Sequence, residues 1–335
     1  MIPFLAVALT IMIGFAGLAA DTGMIWVTRA NLQNSVDAAV LAAASELPAP
    51  DPLTKDAIRT VACEYSAQRN PVRDMFGTTG DCSGKSDVTF PDSTTIRVKA
   101  YRTVQPVFGQ VLGAPAVDVS AEASAKIGSL GSACLFPVFL TTAQITNTTA
   151  FFVPVKFVDA SAAINVGSGS SAVRAAMRDS TCGDAGATSF SGVTGDPVPI
   201  KTGSATQFQD GWQDIKTAAT QPGSTCPSPE ITAYTSLDAA GRVELSPTVT
   251  VENCSRLVIV PVLNAASGSS GTIQGFIPFY FADICTNSAG CSVPGITGLV
   301  ENHKAWGYYV RMDVTSPTYT DYDPKFGTKV VVLSG

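Results

Sequence analysis

The chain contains a single histidine, His303, so a Cys-His, Ser-His-Asp, multi-histidine zinc or haem site would have to be built around that residue. It stands in Glu301-Asn302-His303-Lys304, beside no nucleophile pattern, and reads as an exposed loop residue. Gly167-Ser168-Gly169-Ser170-Ser171-Ala172 has the outline of a dinucleotide-binding turn, G-x-G-x-x-A, but no βαβ pattern surrounds it and it reads as a Gly/Ser turn. Asp159-Ala160-Ser161-Ala162-Ala163 begins a D-x-S-x-S metal-binding pattern. Ala163 replaces its second hydroxyl and removes an oxygen ligand that a hard Mg²⁺ ion would need. Asp321-Tyr322-Asp323 offers two carboxylates, either to a Ca²⁺ ion or to a solvated loop. Asn147-Thr148-Thr149 and Asn253-Cys254-Ser255 meet the N-glycosylation pattern, which is frequent by chance. No catalytic, metal or cofactor site is expected, and a carboxylate-based hydrolase has no acidic pair to support it.

Eight cysteines, Cys63, Cys82, Cys134, Cys182, Cys226, Cys254, Cys285 and Cys291, carry the remaining chemistry. No C-x-x-C pair occurs among them, so zinc is the weaker reading, and an even number favours up to four disulfides in an oxidising compartment. Cys63 with Cys82 and Cys285 with Cys291 are the expected local pairs; the other four stay open, since eight cysteines allow 105 connectivities.

These residues must be positioned by a chain of unusual composition. Of its 335 residues 45% are hydrophobic and 14% charged, against about 25% charged in an ordinary soluble domain. A mean hydropathy of +0.23 excludes an intrinsically disordered chain. Net charge −6 and pI near 4.8 leave no basic footprint for a phosphate backbone, so nucleic acid is not an expected partner.

Met1 to Ala20 carries no charge, and twenty helical residues span about 30 Å, the hydrocarbon core of a bilayer. No Lys or Arg precedes the run, so the numbering is expected to be that of a mature or truncated chain. Gly14 and Gly17 thin one face of this helix. The helical signal continues past Asp21, with Leu32, Val36, Ala39, Val40, Ala43 and Leu47 on one face, until Pro48, Pro50 and Pro52 end it. The spacing thus predicts one helix to Leu47, about 68 Å long, with an apolar first half and an amphipathic second half.

Asp51-Pro52 reads as the N-cap and first position of a second helix to about Arg69. Asp87–Phe90 and Thr94–Tyr101 read as strands, Pro106–Leu112 as a short helix and Ala116–Ile127 as an alternating strand. Ile127 to Val155 is uncharged, but its Thr and Asn content with Pro137 and Pro154 argues for paired strands rather than a second membrane span. Short β-patterned segments follow to Gly335: Phe151–Val158, Arg256–Leu263, Gly271–Phe281, Gly307–Val314 and Thr328–Leu333. Phe276, Phe279, Tyr280 and Phe281 are expected in a core strand. The fold class is α+β in three segments: the helix 1–47, a small α+β module 48–129 and a larger β-rich, disulfide-bonded domain 130–335.

GFAGLAADTGMIWVTRANLQNSVDAAVLAAASEL resembles the N-terminal segment of the TadE/TadG-like proteins of the Flp, or tight-adherence, pilus system. Its apolar helix ends in a small-residue-plus-Asp turn and continues with the pattern carried here by Leu32, Gln33, Asn34, Asp37, Ala38, Ala39, Leu41, Ala42 and Ala43. VFGQVLGAPAVDVSAEASAKIG is similar to the same family's next portion, and ACLFPVFL, NCSRLVIVPVL and GFIPFYF to parts of longer members. The resemblance implies an envelope protein inserted by its N-terminal helix with the remainder periplasmic or extracellular, acting as a pilin-like subunit or an assembly component. Expected partners are copies of itself, the membrane before assembly and other pilus-assembly components. Leu5, Leu9, Ile13, Gly14 and Gly17 would pack the helix in the polymer, and Leu32, Val36 and Val40 would dock it on its own domain. Two features depart from the pilin pattern: the fifth residue is Leu5 where many pilins carry an acid, and no leader with a prepilin-peptidase glycine is visible before Met1, which a chain numbered after leader removal would account for.

Overall fold

The computed structural model describes residues 2–69, 86–111, 113–134, 136–145, 152, 154–159, 162–165, 172–178, 191–202, 205–237, 243–264, 270–285, 304–314 and 318–334. They form two compact units, Met1–Ile127 with Val331–Gly335, and Gly128–Val330. The long helix and the small α+β module, separate segments in the sequence reading, thus lie in one unit.

In the first unit α1 runs unbroken from Ile2 to Ala44, and its 43 residues make it about 65 Å long. It stops three residues before Leu47 because the last turn tightens: Glu46 N–H donates to Ala43 O (3.1 Å), Leu47 N–H to Ala44 O (3.2 Å) and the Ser45 hydroxyl to Ala42 O (2.6 Å). α2 (Pro52–Arg69) begins as its sequence predicts. Asp51 accepts from Thr54 N–H (3.0 Å) and from the Thr54 hydroxyl (2.7 Å), and that amide, then that hydroxyl, hold its carboxyl below the usual value against the opposing effect of desolvation. β1 (Ser86–Thr89) and β2 (Thr95–Val104) pair antiparallel; α3 (Val107–Val111) follows, and β3 (Val117–Leu130) returns antiparallel to β2, with Ile96 opposite Ala125 and Val104 opposite Val117. Period two shows in the buried set: Ile96, Val98, Ala100 and Val104 on β2, and Val119, Ala121, Ala123 and Ala125 on β3. α1 packs on α2, β2 and α3.

The second unit takes in the end of β3. β4 (Ser132–Cys134), β5 (Leu140–Thr141), β6 (Pro154–Asp159) and β7 (Ala162–Ile164) lead to α4 (Ala172–Arg178). The uncharged stretch through Val155 therefore does contain strands. Next come β8 (Ser191–Val193), β9 (Pro197–Thr202), α5 (Ala205–Ala219), β10 (Thr235–Leu237), β11 (Val243–Leu245) and β12 (Leu257–Leu263). β13 (Ser270–Cys285), β14 (Lys304–Tyr309), β15 (Met312–Asp313), β16 (Tyr319–Asp321) and β17 (Thr328–Leu333) complete the chain, the last residues of β17 belonging to the first unit.

The principal sheet has the order β5-β12-β13-β14-β6, with β9 also on β13. β13 alternates its side chains through Ala282: Phe279 and Phe281 join a core with α4 and α5, whereas Tyr280 and Ala282 join a second cluster with Cys226, Cys254, Leu257 and Val310; past the register shift at Phe281/Asp283, Ile284 returns to the first core. Phe276 is fully buried as well. Helix α5 is absent from the sequence reading, although Phe208, Trp212, Ile215 and Ala219 repeat at i, i+4, i+7 and i+11 and are all buried. Trp212 is the centre of that face, stacked on Phe281 at 3.5 Å between centroids and edge-on to Phe208 at 5.5 Å. Cys226 and Cys254, two of the four cysteines with open pairing, form a buried disulfide across a separation of 28 residues.

Trp212→Ala is expected to destabilise the second unit by about 3–5 kcal/mol, because nothing else fills the space between α5 and Phe281. Urea titration of the detergent-solubilised chain, followed by near-ultraviolet circular dichroism, checks this; a midpoint equal to wild type would contradict it.

Candidate functional site

Among the described residues, the apolar run of α1 is exposed from Leu9 to Leu18 except at Gly17. Leu9 is 56% exposed, Ile13 57% and Phe15 70%, and Met12 and Leu18 are exposed as well. Ile11, Met12 and Ile13 are consecutive, so at about 100° per residue the exposed apolar surface goes round the whole helix. Burying half or more of each of six such side chains is worth on the order of 10 kcal/mol in total, a strong drive toward lipid or another apolar surface. Among the described residues α1 is the one helix long and apolar enough to cross a membrane. The side chain of Leu5 lies outside the described residues. Gly14 is exposed with open space around it, whereas Gly17 is buried.

Gly17 is buried by Phe108 of α3. A Cβ at position 17 would lie 2.9–3.0 Å from the Phe108 Cβ, Cγ and Cδ1 atoms, so only glycine allows this approach. One turn further along α1, Asp21 is also buried. Its Oδ1 accepts from Val107 N–H (2.8 Å) and Phe108 N–H (3.2 Å), and its Oδ2 from Gly109 N–H (2.7 Å). These are the amides at the N-terminus of α3 that have no partner inside the helix, so Asp21 caps it from 86 to 88 residues away. The far end of α3 is closed by a Schellman pattern: Gly113 takes φ +79°, Ala114 N–H donates to Gly109 O (2.8 Å) and Gly113 N–H to Gln110 O (3.0 Å). Sequence reasoning noted Asp21 only as part of a turn. The available signal was that Asp21 is the one charge among residues 1–28, and a lone acid in such a run needs donors.

Beyond Asp21 the same face stays turned inward, since Leu32, eleven residues on, lies only about 20° round the helix from it. Leu32, Val36 and Val40 are completely buried, with Ala39, Ala43 and Ala44, within the first unit. Beside them the Gln33 side-chain amide donates to Asp37 Oδ1 (2.9 Å) and to the Glu122 carbonyl of β3 (3.1 Å). The pattern Leu32-Gln33-x-x-x-Asp37 therefore couples one buried anchor to one polar clasp.

The other residues singled out by sequence fall elsewhere. Cys63 and Cys134 are disulfide-bonded, but the pairings of Cys63 with Cys82 and of Cys285 with Cys291 fall on residues or side chains outside the described ones, as does Cys182. His303, Asn147 and the segment 166–171 lie outside them too. Asp159 ends β6 and Ala163 lies in β7. Asp321 lies in β16, and Asp323 caps a 3-10 turn by accepting from Lys325 N–H (3.1 Å). Asn253 is engaged inside its loop, donating to Thr248 O (2.7 Å) and accepting from Thr250 N–H (2.8 Å).

An exposed apolar helix continued into a docked amphipathic one fits a membrane-anchored protein, and comparison with known proteins finds one family similar to the start of the chain. Residues 1–46 match the family described as putative Flp pilus-assembly TadE/G-like, in agreement with the resemblance carried by Leu32 to Ala43. No curated protein and no solved structure matches the chain. The match and the apolar helix fit an envelope protein associated with the Tad pilus.

Asp21→Ala removes the acceptor of three amides, and at about 1 kcal/mol each the hydrogen exchange of Val107, Phe108 and Gly109 should accelerate at least about fivefold. Exchange measured on the full chain in detergent or vesicles checks this; unchanged protection of the three amides would contradict the capping role.

Proposed function

We propose that this chain is a pilin-like structural subunit of a tight-adherence filament, held in the membrane by the first half of α1 before assembly and polymerising through the same surface afterwards. The observation that carries the reading is the ring of exposed apolar side chains, Leu9 to Leu18, on a helix whose continuation is buried in its own unit. Such a helix can leave lipid only if another apolar surface receives it, and identical helices packed side by side provide one. Gly14 leaves an open notch on that surface where a neighbouring helix can approach. The disulfides support a remainder that is periplasmic or extracellular, since they form and persist in oxidising compartments. Its partners are then copies of itself and the other components of the assembly apparatus, and its role is structural rather than catalytic.

A second reading is a membrane anchor that assists pilus assembly or adhesion without polymerising. Phe108 favours it, because it already occupies the Gly17 side of the helix that a neighbour would otherwise use.

Leu9→Asp places a charge in the apolar ring at a position that is more than half exposed. The polymer reading predicts that this variant keeps the fold of both units but yields no filaments in electron micrographs of the envelope fraction. Filaments of normal number and length containing the variant would overturn it.

A further inference from the structure

Three exposed apolar side chains lie on α3: Val107 (60% exposed), Phe108 (48%) and Val111 (85%). They belong to a stretch, Thr103 to Val117, that contains no charged residue. Exposed valines on an uncharged surface loop would be unremarkable if the loop lay in water, but α3 is not free to choose its surroundings. Asp21 holds its three N-terminal amides, and Phe108 lies against Gly17, one helical turn inside the apolar run of α1.

From Ile2 to Ala20 α1 rises about 28 Å, close to the thickness of a bilayer core, so Asp21 sits where the helix leaves the hydrocarbon. Phe108 at the level of Gly17 is then about 6 Å deeper than Asp21, within the boundary between headgroups and acyl chains. On the opposite side Trp26 is 75% exposed, five residues beyond Asp21 and about 140° around the helix. Helical side chains point back toward the N-terminus, so its indole is directed toward the level of Asp21, on the headgroup side of Phe108, where tryptophan is enriched in membrane proteins.

We propose that α3 is a membrane-interface foot: Val107, Phe108 and Val111 enter the outer edge of the lipid beside α1 and, with Trp26 on the other side, set the depth at which the helix is held. The inference rests on the reading that the first half of α1 resides in lipid before assembly. The Asp21 carboxylate fixes the foot in place while its own charge is covered by backbone amides, so no bare acid is brought to the interface. The occupant of the surface is the bilayer itself, because the patch continues the apolar run of the anchor and has no charge with which to select another partner.

The test uses the full chain in phosphatidylcholine/phosphatidylglycerol vesicles, with a nitroxide placed by Val111→Cys, Leu53→Cys or Leu9→Cys. Val111 and Leu53 are both more than four-fifths exposed and Leu53 is at the start of α2, so neither substitution disturbs packing, and Leu9 is more than half exposed. Collision with oxygen and with a water-soluble nickel chelate is then measured. The proposal predicts that the Val111 label is shielded from nickel about fivefold relative to the Leu53 label and is richer in oxygen, as interfacial sites are. Equal nickel access at Val111 and Leu53, with Leu9 shielded, would overturn the foot and leave the anchor standing. Nickel access at Leu9 equal to that at Leu53 would overturn the anchor and the foot together.

Discussion

A carboxylate at the end of an apolar helix has only two stable solutions: it is solvated, or it is supplied with donors. Asp21 has the second, receiving three amides from the start of α3. The single arrangement satisfies two costly requirements, a buried acid without partners and a helix N-terminus without acceptors. It also fixes β2, α3 and β3 against α1 at one height, so the place where the helix enters its own domain is set by chemistry rather than by loop length. Gly17 and Phe108 complete the junction from the apolar side, where a close approach replaces a hydrogen bond.

The junction explains why one continuous helix serves two surroundings. Before it, the described side chains from Ile11 to Phe15 are exposed on every face; after it, a stripe of Leu32, Val36, Ala39, Val40 and Ala43 is buried together with Ser35, and Gln33 clasps β3. The buried stripe is closed by α2, whose start is fixed by Asp51, and by the alternating side chains of β2. Because α1 is unbroken across Asp21, a force or displacement acting on the apolar half is passed to the domain through backbone hydrogen bonds and not through a flexible linker. That is a useful property for a subunit drawn out of a membrane, and equally for an anchor that must carry load.

Much of this was legible in the sequence, for local reasons. The stripe from Leu32 to Leu47, the Asp51-Pro52 start and the alternation in β2 and β3 each depend on periodicity or on a cap within a few residues, and each stands in the structure within about three residues of its expected limits. The junction was not legible, because the partners of Asp21 and Gly17 lie some ninety residues away and no local rule connects them. The Cys226–Cys254 bridge is non-local in the same sense. Helix α5 is a different case: its spacing was present at Phe208, Trp212 and Ile215, but it sits among Gly, Ser and Thr-rich strands whose composition outweighed it. The resemblance to the TadE/TadG-like proteins covers the part of the chain in which local and family signals coincide.

The central functional proposal is that the open ring on α1 is covered, after assembly, by copies of the same chain. Photo-crosslinking from Ile13, which is 57% exposed, tests it most directly in the native envelope. The proposal predicts a ladder of covalent multimers of this chain in the pilus fraction. Adducts with lipid alone, in a fraction where pili are assembled, would contradict it.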